Sequence, residues 1–461
     1  MQTKTTAGIC RSRQTNRALP RSHFFIEYRA PHPQNAAMSE TAILSAPPSV
    51  STSPSQAISK RLMSLDALRG FDMFWIVAAE PLVAALNKMA HPSGQSGGFS
   101  PIGLVAYELE HAEWQGFHFE DLIFPLFVFM AGMSIVFSLR KTIEREGRAV
   151  AVRRVLRRGI LLYLLGIFYY GGFSNPWPHI RLMGVLQRIA LCYLFAGLIF
   201  CFCNLRAMIA IAVGLLLGYW ALLTFVPIRN TQLQQEALEQ LAAKRGVADD
   251  PQALFYGTTE RVTGRFEQGL NLPNHFDFQY LPGFKWDTYY DPEGCLSTFP
   301  AIVTCLLGIF AGLFLLNPSR NDPQKVISLL AAGLVLVALG WAWGAQFPVI
   351  KKIWTSSYVL VAGGYSAVLL AVFYLVVDMW QWQKWCQPFV WMGMNSITIY
   401  MARNILGGFG KLAGRFVGGD ISAWFNHQLI GSGDLLAALL EMALAFWFVH
   451  FLYRKKIFLR L

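Results

Sequence analysis

The chain has 461 residues, of which 54% are hydrophobic and only 14% charged. Soluble domains carry roughly 25% charged residues, so a surface that faces water on all sides is excluded. The formal net charge of +12 is concentrated in particular loops, with no basic-aromatic module. It reads as membrane topology and not as a nucleic-acid footprint.

Residues 1–57 are polar, rich in Pro, Ser and Arg, and lack an apolar h-region. They predict a disordered cytoplasmic tail, not a signal peptide, with Met38 an alternative start. Apolar runs of about 20 residues, the length a bilayer crossing needs, then recur along residues 58–461. They fall at 63–86, 119–139, 155–172, 181–203, 206–227, 297–316, 326–346, 353–377, 388–406 and 434–453. The expected fold class is all-α, a polytopic transmembrane bundle of about ten spans in contact with the lipid bilayer. Seven cysteines fall mostly inside these runs and give neither a disulfide framework nor a CxxC metal site.

Lys and Arg in the loops set the orientation. Residues 140–158 hold eight basic side chains, and the end of the chain adds Arg454, Lys455, Lys456 and Arg460. With ten spans these lie on one side, which predicts that both termini are cytoplasmic. The opposite, periplasmic side holds the long loop 228–296, with ten acids against six bases. Lys351 and Lys352 fall on that outer side and break the pattern.

Five clusters of polar residues interrupt the apolar runs. In RLMSLDALRGFDMFWIVAAEP, Asp66, Arg69 and Glu80 are spaced by three and eleven residues, which puts them on one helix face. Asp66 and Arg69 also suit a simple i,i+3 pair, whereas Glu80 lies near the outer end. EHAEWQGFHFEDLIFPLFVFMAGMS carries His111, Trp114, His118 and Asp121 into a span. A His beside carboxylates suits general-base work, and an interfacial His and Trp fixing the helix in the headgroups suits the same spacing. His111 and His118, seven apart, form no metal motif. In RLMGVLQRIALCYL, Gln187 and Arg188 enter a span, and an intramembrane Arg needs an acid or an anion. Asp66, Asp121 and a substrate phosphate are the candidates. Asp291 and Glu293 open a span in YYDPEGCLSTFPAIVTCLLG, where they also suit a helix N-terminus. Asn395 and Ser396 in WMGMNSITIYMARN suit interhelical hydrogen bonding as well as ligand binding.

Taken in order, RLMSLDALRGFD, EHAEWQG with FEDLIFPLFVFMAGMSI, GVLQRIALCYL, DPEGCLSTFPAIVTCLLG and GMNSITIY resemble the catalytic membrane domain of the heparan-α-glucosaminide N-acetyltransferase family and its bacterial NagX-like relatives. The resemblance covers roughly residues 60–455. It implies an enzyme of a bacterial inner membrane that moves an acetyl group from cytoplasmic acetyl-CoA to an amine or hydroxyl of an amino sugar on the periplasmic side. The family's active histidine lies in a motif like N-H-A-x-W-N-G, which here reads Glu110-His111-Ala112-Glu113-Trp114-Gln115-Gly116. His111 and Trp114 match, and both asparagine positions differ. The family's catalytic asparagine of the first span aligns with Glu80. The resemblance thus implies His111 and Glu80 as catalytic residues. Asp66, Arg69, Trp114, Asp121, Gln187, Arg188, Asp291, Glu293 and Asn395 are the expected contacts to acetyl-CoA or acceptor, with no metal and a homodimer among the expected assemblies. An inner-membrane transporter for N-acetylglucosamine or a related sugar is the alternative, since intramembrane charges fit a transport pathway too.

Overall fold

The computed structural model describes residues 62–90, 101–405 and 408–459. The tail expected to be disordered, residues 1–57, lies outside the described residues. In chain order the helices begin with α1 Met63–Ala90, a short α2 Pro101–Glu108, α3 Phe119–Glu146, α4 Arg148–Tyr169, α5 Val185–Phe202 and α6 Leu205–Phe225. A loop region follows with α7 Gln235–Arg245, α8 Pro251–Tyr256 and α9 Leu272–Tyr280. In this region Ile228–Arg229 pairs antiparallel with Arg261–Val262. The chain continues through α10 Thr298–Leu315, α11 Asp322–Gly344 and α12 Ser356–Phe373, the last extended by a π-helical turn Tyr374–Met379. It ends with α13 Gln387–Met394, α14 Ser396–Ile405, α15 Gly408–Val417, α16 Asp420–Gln428 and α17 Ser432–Arg454. The fold is all-α, as the apolar runs require, because a helix satisfies its own backbone in lipid.

Among the described residues, eight helices are long and apolar enough to cross a membrane: α1, α3, α5, α6, α10, α11, α12 with its extension, and α17. The other two expected spans differ in form. α4 begins at Arg148 and not near 155, and its 22 residues make roughly 33 Å of helix. Its first three turns carry five arginines, two of which find partners. Arg154 donates to Thr142 Oγ1 at 2.6 Å, and Arg158 lies over the Tyr193 ring at 4.8 Å. The single span expected at 388–406 is corrected to two short helices, α13 and α14. Asn395 ends α13 with φ −118° and ψ 22°, and its Nδ2 donates to Trp391 O at 3.2 Å. A side chain that bonds its own helix's carbonyl competes with continuation of the ladder.

Small residues bring the spans together. A Cβ on Gly132 of α3 would lie 1.9 Å from Cys305 O of α10, and one on Gly308 of α10 would lie 1.8 Å from Phe129 O of α3. Such reciprocal glycines let two backbones meet directly. At the His111 end, backbone hydrogen bonds join distant loops: Gly116 N to Val349 O at 2.9 Å and Phe284 N to Ile180 O at 3.0 Å. Trp114 Nε1 adds a bond to Phe266 O at 2.7 Å. At the other end, Asp378 caps the start of α1 by accepting from Met63 N at 3.2 Å and Ser64 N at 3.1 Å.

Candidate functional site

The interior of the bundle holds a cavity of about 710 Å³, within the range of small-molecule sites. It reaches from the cross-linked loops down to Met73, Phe127, Ile189 and Ser396. Its walls come from α1, α3, α4, α5 and α14 and from the loops before α3, α5, α10 and α12.

The loop 109–118 delivers His111 to the rim. Gly116 turns it with φ +129°, a conformation costly for any other residue. Asp121, on the first turn of α3, holds the loop from below. Its Oδ2 accepts from Ala112 N and His118 N, each at 3.1 Å, and its Oδ1 faces His111 Nδ1 at 3.1 Å. Asp121 is 1% exposed, while the His111 side chain is 59% exposed, towards the cavity. In the tautomer that donates Nδ1–H to Asp121, Nε2 carries the lone pair of a base.

The third member is Lys351. Its Nζ stands 3.2 Å from Asp121 Oδ1, 3.0 Å from His111 Nδ1 and 3.5 Å from Nε2. Withdrawal from solvent lowers the His111 pKa below its usual range, and Lys351 and Lys352 add to this against the pull of Asp121. That direction favours the neutral imidazole over the charged one. Lys352 itself pairs with Asp287 at 3.1 Å. Lys351 was visible in the sequence only as a charge on the wrong side, and its partner lies 240 positions away.

The other expected residues divide into two groups. Trp114, Arg188 and Glu293 line the cavity. Asp121 stands directly behind His111, and Asp291 works through Arg181, which reasoning from the sequence passed over. Arg181 bonds Asp291 with Nε at 2.9 Å and Nη2 at 2.7 Å, and reaches Glu293 at 2.7 Å. Its guanidinium lies over Tyr170 and Trp286 at 4.5 and 4.9 Å. Burial and the neighbouring Asp291 push the Glu293 carboxyl upward. Removing Asp291 takes the two-point partner from a buried guanidinium and leaves it Glu293 alone; breaking a buried ion pair costs about 3–5 kcal/mol. Asp291→Ala should therefore lower the thermal unfolding midpoint in detergent well below that of Lys88→Ala. The latter breaks only the exposed pair with Asp434, and equal midpoints would contradict the clamp.

Arg188 is fully buried. Neither Asp66 nor Asp121 neutralises it, contrary to the expectation: Asp66 meets Arg69 at 3.6 Å and Asp121 is taken by His111 and Lys351. Arg188 Nη2 instead donates to Gly294 O at 3.3 Å and to Ser297 Oγ, and the guanidinium lies over Trp354 at 4.9 Å. Nε and Nη1 have no hydrogen-bond partner among the described residues.

Glu80, Asp66, Arg69, Gln187 and Asn395 are not in the cavity wall. The structure does not bring Glu80 to His111. Its carboxylate is 84% exposed and pairs with Arg403, and it is Arg403 that lines the cavity. The glutamate that does line the cavity is Glu120, whose Oε2 has no hydrogen-bond partner among the described residues. Arg69 also donates to Ser134 at 2.8 Å. Gln187 fills the space above Gly166, where a Cβ would lie 2.4 Å from its Oε1.

No family model matches the chain. Among curated proteins it is 27% identical to human heparan-alpha-glucosaminide N-acetyltransferase, over 76% of this chain and 55% of that protein. The mouse protein of the same name is 24% identical, over 76% of this chain and 56% of that protein. Over most of its length this chain is similar to heparan-alpha-glucosaminide N-acetyltransferase. It spans about half the length of the curated relatives it matches.

Proposed function

We propose that the protein transfers an acetyl group from acetyl-CoA to the amine of an amino sugar, with the acceptor held in the 710 Å³ cavity. The observation that carries this reading is His111, oriented by Asp121 and open to the cavity. The names of the human and mouse relatives support it. An amine in water is an ammonium and attacks a thioester only after losing a proton, which His111 Nε2 is placed to accept. Trp114, Trp286, Tyr170 and Tyr400 in the wall offer faces for a sugar ring.

Acetyl-CoA is anionic and does not cross a bilayer. The basic stretch 140–158 lies at the far end of α3 and the start of α4 from His111, where it suits the phosphates of the donor. We place that end, with both termini, in the cytoplasm and the His111 end in the periplasm. Sealed vesicles of both orientations test sides and reaction together. Labelled acetyl-CoA added outside inverted vesicles loaded with glucosamine should give labelled N-acetylglucosamine, and right-side-out vesicles should give none. Sugar uptake without acetylation would instead establish transport.

A further inference from the structure

We propose that Lys351 is a catalytic residue of this transfer, the cation that takes up the negative charge forming on the thioester carbonyl oxygen. The inference rests on the acetyl-transfer reading above and adds to it. A base alone gives no reason for a neighbouring ammonium, because a positive charge opposes protonation of the imidazole. Lys352 shows what a structural lysine looks like in the same loop, paired one-to-one with Asp287. Both lysines line the cavity, but Lys351 shares Asp121 with His111. An ammonium has three N–H donors; Asp121 takes one, Nδ1 carries its own proton, and Nε2, at 3.5 Å, keeps its lone pair for the amine, so two donors remain for an oxyanion.

The loop that carries Lys351 is built to hold it still. Phe347, Val349, Ile350, Ile353 and Trp354 are buried. Thr355 Oγ1 donates to Pro348 O at 2.8 Å and accepts from Ile350 N at 3.1 Å. Trp354 adopts φ +51°, a region that bulky residues rarely enter. Its N–H bonds Lys351 O at 2.9 Å, and its indole reaches Thr304 Oγ1 at 3.2 Å. Preorganised charge beside the place where charge develops is the usual form of electrostatic catalysis. A carbonyl carbon meeting an amine at His111 Nε2 has its oxygen within reach of Nζ, since those two nitrogens are 3.5 Å apart.

The step balances. The amine nitrogen bonds the carbonyl carbon, its proton passes to His111 Nε2, and the carbonyl π pair moves to oxygen beside Lys351. The pair then returns, the C–S bond breaks, and the thiolate leaves with its electrons. The proton on His111 passes to cavity water.

The test uses the full-length protein in detergent with acetyl-CoA and glucosamine, comparing wild type with Lys351→Met and Lys351→Arg from pH 5 to 9. A second readout needs no turnover: the pH dependence of His111 modification by diethyl pyrocarbonate. The charged groups facing His111 are Asp121 from α3 and Lys351 and Lys352 from the loop, with Glu120 acting on Lys351. Lys351→Met should lower kcat about 10²–10³-fold with little change in KM for the amine, and Lys351→Arg should recover part of it. The modification midpoint should move to higher pH in Lys351→Met, because a cation has gone. A Lys351→Met enzyme with wild-type kcat overturns the proposal. So does a defect that disappears at high pH, since Lys351 would then only tune His111. If Lys351→Met is not monodisperse, Lys351→Gln takes its place with the same criteria. An inactive wild type overturns the acetyl-transfer reading and this one together; an active wild type with an active lysine variant overturns this one alone.

Discussion

His111→Ala should lower acetyl transfer by about 10²–10⁴-fold, the usual contribution of a general base. Asp121 is the reason the loss should be confined to chemistry. Its Oδ2 still holds Ala112 N and His118 N, so the loop keeps its shape when the ring is gone. Binding of acetyl-CoA, followed by calorimetry, should therefore be unchanged while initial rates collapse. Asp121→Asn should also lose activity, with lower stability as well, because it touches four groups and not one. A His111→Ala protein that acetylates glucosamine at the wild-type rate would remove the imidazole from the mechanism.

The second large effect concerns folding. Gly132→Leu, or Gly308→Leu, should abolish recovery of monodisperse protein. At both positions the first added carbon meets a backbone carbonyl at under 2 Å, which no rotamer relieves. α3 and α10 would have to separate, and α3 carries Asp121. Overpacking a core costs typically 1–3 kcal/mol and more where backbone must move. Gly214→Leu and Gly218→Leu on α6 serve as controls, because nothing lies within 4 Å of a Cβ at either. Size-exclusion chromatography in detergent gives the comparison, and a well-behaved Gly132→Leu would contradict the close crossing.

Much of the fold is legible in the sequence because lipid enforces a simple code. A run of about 20 apolar residues has few alternatives to a helix, and eight such helices stand where the runs are. The break at Asn395 was not legible, since an Asn inside a span reads equally as a hydrogen bond between helices. The start of α4 was hidden by its arginines, which argue against a span until Thr142 and Tyr193 are seen beside them. In the site, His111 and Asp121 could be found because they are ten positions apart. Lys351 and Arg181 depend on partners more than 100 positions away, and no local pattern announces them. Glu80 sits on the expected helix, but its side chain turns to Arg403, a direction that spacing does not specify.

The cross-linked loops above His111 bear on how material can pass through the protein. A carrier that works by alternating access must part its two halves on one side and then on the other. Here that parting would break Gly116 to Val349, Trp114 to Phe266, Ile180 to Phe284, the Arg181 clamp and the Lys352 pair with Asp287. All but the Lys352 pair join a residue before position 190 to one after 265, so the early and late parts of the chain are tied together at this end. A roof riveted in this way suits the proposed transfer, which needs a vessel that holds its reactants and not one that opens by turns to either side.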